Sequence, residues 1–368
     1  MRSQSYTQAR KLILQYGWNA TAYQILNPGI AHWLSEDERG LVGFAKTKKR
    51  IGLGPAVWVA AGEPICSPAE VKRLARSFEA AAEAERCRVC WFAADSRLRE
   101  ILGGQDAYSE MVLGAQPVWD PHRWPSILAE KASLRAQINR AQNKGIAVAR
   151  WPYRDAEGDA GLQLCLEEWL HARGLPALHF LVEPQTLHQF EDRWVFVASH
   201  DAVSVGFLVL TPVPARNGWL VEQIIQGNDA PNGTASLLLD AAMTAAADSG
   251  ASYLTLGLSP LSFRAPASNP NPLWMRALFG WLRAHGRRSY NFQGLETFKA
   301  KFDPDRWDPI VAITNEPQPS LGTLHAIADA FSGPRSPERL IGRAMFDAAK
   351  DEARTLREKL RRSQSVSL

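Results

Sequence analysis

Cysteine is scarce in this sequence, with four residues among 368. So few cysteines exclude a secreted disulfide framework, and the CxxC pair Cys87 and Cys90 lacks the second ligand pair that a structural zinc site needs. Long apolar runs are also missing, because the best candidate, 237–247, is short and contains Asp240 and Thr244. The polar first ten residues lack the apolar segment of a signal peptide. These absences favour a cytoplasmic protein.

Short catalytic motifs are missing as well. The sequence contains no G-x-S-x-G, no H-E-x-x-H and no P-loop. Its net charge of +4, from 42 basic and 38 acidic residues, is too small to indicate a polyanionic partner. Any anion-binding site must therefore come from local clusters of basic residues.

The hydropathy pattern places strands and helices in alternation, which is typical of the α/β class. Strands are predicted over 21–25, 41–46, 56–61, 88–94, 146–150, 194–198, 204–213, 218–225 and 253–258. Helices are predicted over 8–16, 69–85 (behind an N-cap at Ser67), 127–144, 160–173, 235–248 and 337–362, with a short helix capped by Asp95.

The length predicts about two domains of roughly 150 residues each. A Pro- and Trp-rich connector ends the first half near residue 125. We therefore expect an N-terminal domain over 1–125, a basic connecting helix over 126–145, a catalytic domain over 146–317 and a basic helical tail over 318–368. The apolar stripe of the tail favours packing on the body of the protein, and an anionic membrane surface is the alternative.

Four basic residues fall roughly on one face of the connecting helix: Lys131, Arg135, Arg140 and Lys144. A solvated helix face explains this pattern, and a phosphate-binding face is the alternative.

A strand, an Asn/Gly loop and a helix follow one another from residue 218. The loop 229–234 presents free amide groups at a helix N-terminus, where the helix dipole favours an anion. Gly233 permits close approach of the backbone, and Thr234 is a good N-cap. A plain capped turn explains the same residues.

The segment 291–304 is dense in aromatic and basic residues. Lys299 and Lys301 point the same way if this segment is extended. Two converging cations suit a phosphate or a developing oxyanion. A solvated basic edge is the alternative.

Five motifs together resemble the C-terminal catalytic domain of bacterial phosphatidylglycerol lysyltransferases, also called aminoacyl-phosphatidylglycerol synthases. These motifs are VWVAAGEPI, LRAQINRAQNKG, APNGT, LGLSPLS and NFQGLETFKAKFDP. The resemblance covers roughly residues 10–315. It implies two tandem acetyltransferase-like (GNAT-like) folds with mixed sheets flanked by helices. It also implies transfer of an amino acid from aminoacyl-tRNA to a lipid hydroxyl. The aminoacyl ester is already activated, so no metal or cofactor is expected.

The resemblance implies roles for individual residues. Glu222 would orient the α-amine or act as a base, and Lys299 and Lys301 would contact the phosphate or the oxyanion. The substrate-binding residues would be Asn232, Gly233, Thr234, Ser259, Ser262 and Asn291. The basic face of Lys131, Arg135, Arg140 and Lys144 would bind the acceptor end of tRNA.

Two departures from the family pattern keep other functions open. Ile225 and Gln226 stand where the family has an arginine, and the membrane flippase domain common in the family is not expected here. The protein could work on an anionic phospholipid at the inner membrane face or use a small-molecule acceptor. An acyl-CoA-dependent N-acyltransferase shares the fold, although its Gln/Arg-x-x-Gly-x-Gly/Ala loop is missing. A non-catalytic module that binds tRNA or lipid is the remaining alternative.

Overall fold

The computed structural model describes residues 4–49, 54–172, 178–264, 271–285 and 291–332. Twelve strands run through these residues: β1 (Ala31–Leu34), β2 (Leu41–Lys46), β3 (Val57–Ala61), β4 (Arg88–Ala94), β5 (Ser109–Trp119), β6 (Ile146–Trp151), β7 (Trp194–His200), β8 (Val203–Val213), β9 (Gly218–Gln226), β10 (Tyr253–Thr255), β11 (Ser259–Pro260) and β12 (Arg306–Thr314).

All twelve strands belong to one sheet, in the order β1-β2-β3-β4-β12-β5-β10-β9-β8-β7-β6, with β11 paired to β5. The two halves of the sheet are built alike. In each half, antiparallel strands lead to one parallel pair, β3 with β4 and β9 with β10. The next strand in each half comes from the other part of the chain: β12 pairs with β4, and β5 pairs with β10. The two parts therefore exchange strands at the centre of the sheet.

Eleven helices cover the described part of this sheet: α1 (Gln4–Tyr16), α2 (Val71–Ala84), α3 (Ser96–Leu102), α4 (Trp124–Glu130), α5 (Ala132–Asn143), α6 (Tyr153–Ala156), α7 (Ala160–His171), α8 (Thr234–Asp248), α9 (Leu273–His285), α10 (Phe292–Ala300) and α11 (Leu321–Ser332). In the first half of the sheet, α2 and α3 pack on one face, and α1, α9 and α11 share the core of the other face. In the second half, α5 and α8 cover one face and α7 covers the other. The predicted α/β class, with a mixed sheet flanked by helices, is confirmed.

Several predicted elements are wrong. The predicted strand over 21–25 is a buried 3₁₀ turn over Tyr23–Leu26. The single predicted helix over 127–144 is two helices, because the chain leaves helical geometry at Lys131, whose φ and ψ are −99° and 82°. Ser67 makes no capping bond, whereas Asp95 accepts a hydrogen bond from the Ser96 amide and caps α3 as expected.

The exchanged strands pair across the boundary expected between the two domains. The division into domains itself stays a prediction. β5 falls within the expected domain 1–125 but also pairs with β10 and β11. β12 falls within the expected domain 146–317 but pairs with β4 and β5. In the expected tail 318–368, α11 packs into the core of the first half. The predicted helix over 337–362 lies outside the described residues.

Candidate functional site

A cavity of about 540 Å³ opens at the N-terminus of α8, between α5 and the C-terminal end of α10. Its lining is formed by Ser133, Ala136, Gln137, Arg140, Gln226, Asn232, Gly233, Ala235, Ser236, Phe298 and Lys301. Among these described lining residues two are cationic and none is a carboxylate. Together with the positive end of the α8 dipole, this lining suits an anion.

Close packing of α8 against α5 forms the wall of this cavity. Gly233 has a φ of +104°, and a Cβ placed on it would lie 2.1 Å from the carbonyl oxygen of Gln137. Only glycine tolerates both conditions. Gly233 is also the N-cap residue, so the prediction of Thr234 as the N-cap is wrong; the Thr234 hydroxyl instead donates to the Pro231 carbonyl at 2.7 Å.

Lys301 is the half-buried cation at the base of the cavity. Its Nζ donates to Gln137 Oε1 at 3.2 Å and to Ser236 Oγ at 3.1 Å. It also lies 4.5 Å from the ring centre of Phe298 and 4.6 Å from that of Phe302. Burial lowers the pKa of Lys301. A bound anion would offset that penalty, because it supplies the opposite charge that the lining lacks.

A second cavity of about 380 Å³ adjoins the first and shares Phe298 and Lys301 with it. Asn291, Gln293, Gly294 and Thr297 complete its lining. Asn291 also caps α10, since its side chain accepts a hydrogen bond from the Gly294 amide at 2.8 Å. Lys301 therefore belongs to two adjacent cavities of different composition.

Lys299 does not converge with Lys301, contrary to the prediction from an extended segment. The segment is helical, so residues two apart point in different directions. The Lys299 ammonium is buried, and it donates to the Gly257 and Leu258 carbonyls at 2.9 Å each. Burial lowers the pKa of Lys299 to about 7. Through these hydrogen bonds Lys299 links α10 to the loop after β10.

Glu222 lies at a bulge in β9, and its side chain faces a buried arginine. Arg193 Nε donates to Glu222 Oε2 at 2.8 Å, and Arg193 Nη2 donates to Oε1 at 3.2 Å. The Arg193 guanidinium also lies 4.9 Å from the Tyr23 ring centre and donates to the Gln189 carbonyl. The role of Glu222 toward an amine stays a prediction; the contact that the structure gives it is this ion pair.

The two serines predicted to bind substrate, Ser259 and Ser262, come just before Arg264, which belongs to a cluster of ion pairs. Ser259 is buried, and its hydroxyl has no hydrogen-bond partner among the described residues. Ser262 Oγ accepts from the Arg264 amide at 3.2 Å. Arg264 and Arg283 then hold Glu296 of α10 at 3.1 and 2.9 Å, and with Ser262 they keep the pKa of Glu296 below its ordinary value despite burial.

The four basic residues predicted on one face separate in the structure. Lys131 pairs with Asp303 at 3.1 Å. Arg135 folds back onto the end of α4 and donates to the Leu128 and Ala129 carbonyls. Arg140 lines the first cavity, and Lys144 is the exposed C-cap of α5. The break at Lys131 takes that residue out of α5, and the five-residue spacing turns Arg135 and Arg140 about 140° apart around the helix.

Sequence reasoning missed Arg193, Gln137 and Ser236, and it noted Gln226 only as a residue that stands where the family has an arginine. Motif spacing did not reveal them because they reach their positions through non-local packing and carry no pattern of their own. Within the described residues, no group of three or more His, Cys, Asp and Glu could hold a metal ion. No helix within the same ranges is long and apolar enough to span a membrane.

The comparisons with known proteins identify the family and the fold. The family model for the C-terminal domain of phosphatidylglycerol lysyltransferase matches residues 10–312. The C-terminal domain of a putative lysylphosphatidylglycerol synthetase from Agrobacterium fabrum is similar in structure, with a TM-score of 0.74 and 19% identity over 90% of this chain and 98% of that one. L-PGS from Bacillus licheniformis has a TM-score of 0.71 and 19% identity over 92% and 96% of the two chains.

FemX is a more distant structural neighbour, with a TM-score of 0.54 and 10% identity over 88% of this chain and 98% of that one. No curated protein sequence matches the chain. Because the family model spans most of the chain, this protein belongs to the family of the phosphatidylglycerol lysyltransferase C-terminal domain, and it is an acyltransferase.

Proposed function

We propose that this protein transfers an aminoacyl group from aminoacyl-tRNA to a hydroxyl group of an anionic phospholipid at the inner membrane face. Family membership supports aminoacyl transfer as the reaction class. The observation that carries the proposal is Lys301, which lines two adjoining cavities. Two substrates that enter from different sides can meet at such a residue.

The first cavity is proposed as the donor site. Arg140, Lys301 and the N-terminus of α8 provide three sources of positive potential, and the described lining has no carboxylate. The phosphates near the 3′ end of a tRNA match this potential, because phosphate contacts dominate the affinity of proteins for nucleic acids. The second cavity would then receive the lipid hydroxyl.

The reaction needs positioning and charge stabilisation. The acceptor hydroxyl oxygen attacks the ester carbonyl carbon, the bond from that carbon to the ribose oxygen breaks, and the hydroxyl proton ends on the ribose oxygen. An ammonium has three donors, and the contacts of Lys301 with Gln137 and Ser236 use two of them. The third can donate to the oxyanion, a contribution of roughly 3 kcal/mol to the barrier.

The test measures transfer of radiolabel from charged tRNA into a lipid extract. We expect transfer with the purified protein, a loss of roughly 10²–10³ in rate for Lys301→Ala, and a smaller loss for Arg140→Ala. Lys144→Ala is the matched control, because it removes the same charge one turn along α5 from Arg140 at an exposed position.

Label that remains on tRNA at every protein concentration would contradict the proposal. The same assay with acyl-CoA in place of charged tRNA distinguishes the N-acyltransferase alternative. Replacing lipid with small amines and alcohols distinguishes the small-molecule acceptor, and tRNA or lipid binding without any transfer indicates the binding module.

A further inference from the structure

Three of the large apolar side chains that are exposed in the described part of the chain lie close together in sequence. Phe263 is 66% exposed, Leu273 79% and Trp274 42%. Leu273 and Trp274 begin α9, and the Phe263 ring lies 4.8 Å from the guanidinium of Arg283, also on α9. A cluster of exposed apolar side chains marks an interaction site more often than a single scattered side chain does.

The inner side of α9 explains why these residues point outward. Met275 is fully buried in the core of the first half, and Phe279 packs against the same core. Arg283 is held by the Leu261 carbonyl and by Glu296. With these residues facing inward, helical spacing places Leu273, Ala277 and Gly280 along the opposite, outer face.

The segment around α9 is predominantly basic, and Glu296 just after it is paired with Arg264 and Arg283. The 47 residues from 249 to 295 contain no aspartate or glutamate, and they contain five arginines, at positions 264, 276, 283, 287 and 288. Arg276 is exposed on α9 itself. An apolar helix face beside the exposed Arg276, in a predominantly basic segment, is complementary to a bilayer that contains anionic lipid: the apolar residues enter the interface and the guanidinium group meets a lipid phosphate.

We propose that the outer face of α9, defined as Phe263, Leu273, Trp274 and Arg276, is the surface by which this protein binds an anionic phospholipid bilayer. The proposal rests on the proposed function, for which it supplies the route to a lipid acceptor. The ion pair of Arg283 and Glu296 links α9 to α10, and α10 contains Phe298 and ends directly before Lys301. Docking through α9 therefore keeps both cavities near the bilayer surface.

The chemistry of this face favours a bilayer over other occupants. A tRNA could stack on Trp274 or Phe263, but an exposed leucine offers nothing to a nucleotide. A second copy of the chain would bring the same arginines against this face, and like charges would repel.

The test is sedimentation of the full chain with vesicles of phosphatidylcholine alone or mixed with phosphatidylglycerol. We expect binding to the mixed vesicles only. The double variant Leu273→Glu/Trp274→Glu should weaken that binding roughly tenfold or more, and Arg276→Glu should weaken it as well. Leu164→Glu is the matched control, because Leu164 is a 56% exposed leucine on α7. Circular dichroism checks that each variant is folded.

A second measurement separates this surface from the proposed reaction. With monomeric short-chain phosphatidylglycerol as the acceptor, the double variant should transfer the amino acid as the unchanged protein does, and with vesicles it should lose transfer. Absence of transfer to either acceptor, with vesicle binding still dependent on α9, would overturn the proposed function alone.

Vesicle binding that the double variant and Arg276→Glu leave intact would overturn the surface alone. So would a double variant that loses tRNA binding, or dissociates a dimer, while it still sediments with vesicles.

Discussion

Arg193 and Glu222 form a doubly hydrogen-bonded ion pair in which the two side chains are only 2% and 5% exposed. The arginine comes from the loop before β7, and the glutamate comes from the bulge in β9. A charge buried to this degree needs its partner, because removal of either side chain leaves the other charge without solvent or a counter-ion.

Glu222→Ala should therefore destabilise the fold by about 3–5 kcal/mol, as judged by urea unfolding. The double variant Arg193→Met/Glu222→Met should recover much of that loss, because it leaves no unpaired charge. A stable Glu222→Ala protein that has lost transfer would instead assign Glu222 a role in the chemistry.

Lys299 makes stability depend on pH in a defined direction. Its pKa is about 7 in the folded protein, against an ordinary value of 10.5, so between these values the unfolded chain binds one more proton than the folded chain. The free energy of unfolding should then rise as pH increases from about 7 toward 10.5. Below pH 7, Lys299 should not make the free energy of unfolding depend on pH. Lys299→Met should lose this slope in urea unfolding at pH 6.5, 8 and 9.5.

The matched control is Lys72→Met on the exposed face of α2, which should keep the slope of the unchanged protein. An unchanged slope in Lys299→Met would mean that Lys299 is charged when folded.

Gly233→Ala should damage both stability and the donor cavity. The new Cβ would meet the Gln137 carbonyl at 2.1 Å on a backbone with positive φ, so α5 would have to move. We expect a loss of about 2–4 kcal/mol in thermal or urea unfolding. Gly250 has a φ of +77°, and a Cβ placed on it would meet open space. Gly250→Ala therefore tests only the strain of a positive φ and should lower the free energy of unfolding by about 1 kcal/mol. Equal losses in the two variants would show that the contact with Gln137 is unimportant.

Binding of uncharged tRNA should report the charge of the first cavity. Arg140→Ala and Lys301→Ala should each weaken binding and lower the slope of log affinity against log salt by about 1 if each residue contacts one phosphate. The contribution of Lys301 should also fall as pH rises, because burial lowers its pKa and the cation is lost sooner. A filter-binding series at 50–200 mM salt, repeated at several pH values, measures both effects. Salt slopes unchanged in both variants would show that the tRNA end does not bind in this cavity.

The strands with plain hydropathy patterns could be predicted from the sequence. β2 and β4 have the predicted bounds, and β8 and β9 differ from the prediction by one residue. The strand–loop–helix unit around Gly233 was also recognisable, because its turn residues are local.

The two central strands could not be predicted. β5 contains Gly114 and Pro117, β12 contains Pro309, and such residues argue against a strand when only the local sequence is considered. Their pairing depends on residues nearly 200 positions apart, such as Trp307 opposite Pro117. For the same reason the sequence could suggest Lys301 and Asn232 as site residues, but it could not show that Gln137 lies beside them.

The exchange of β5 and β12 constrains how the protein can be made. The first half of the sheet cannot close until residue 314 has left the ribosome, because β12 separates β4 from β5. Most of the chain must therefore be synthesised before either half is complete, and its folding should be slow, as is usual for sheets with distant partners. Expression of either half alone should give an open sheet edge and an aggregating fragment. Two fragments cut near residue 145 should regain a fold only when they are produced together.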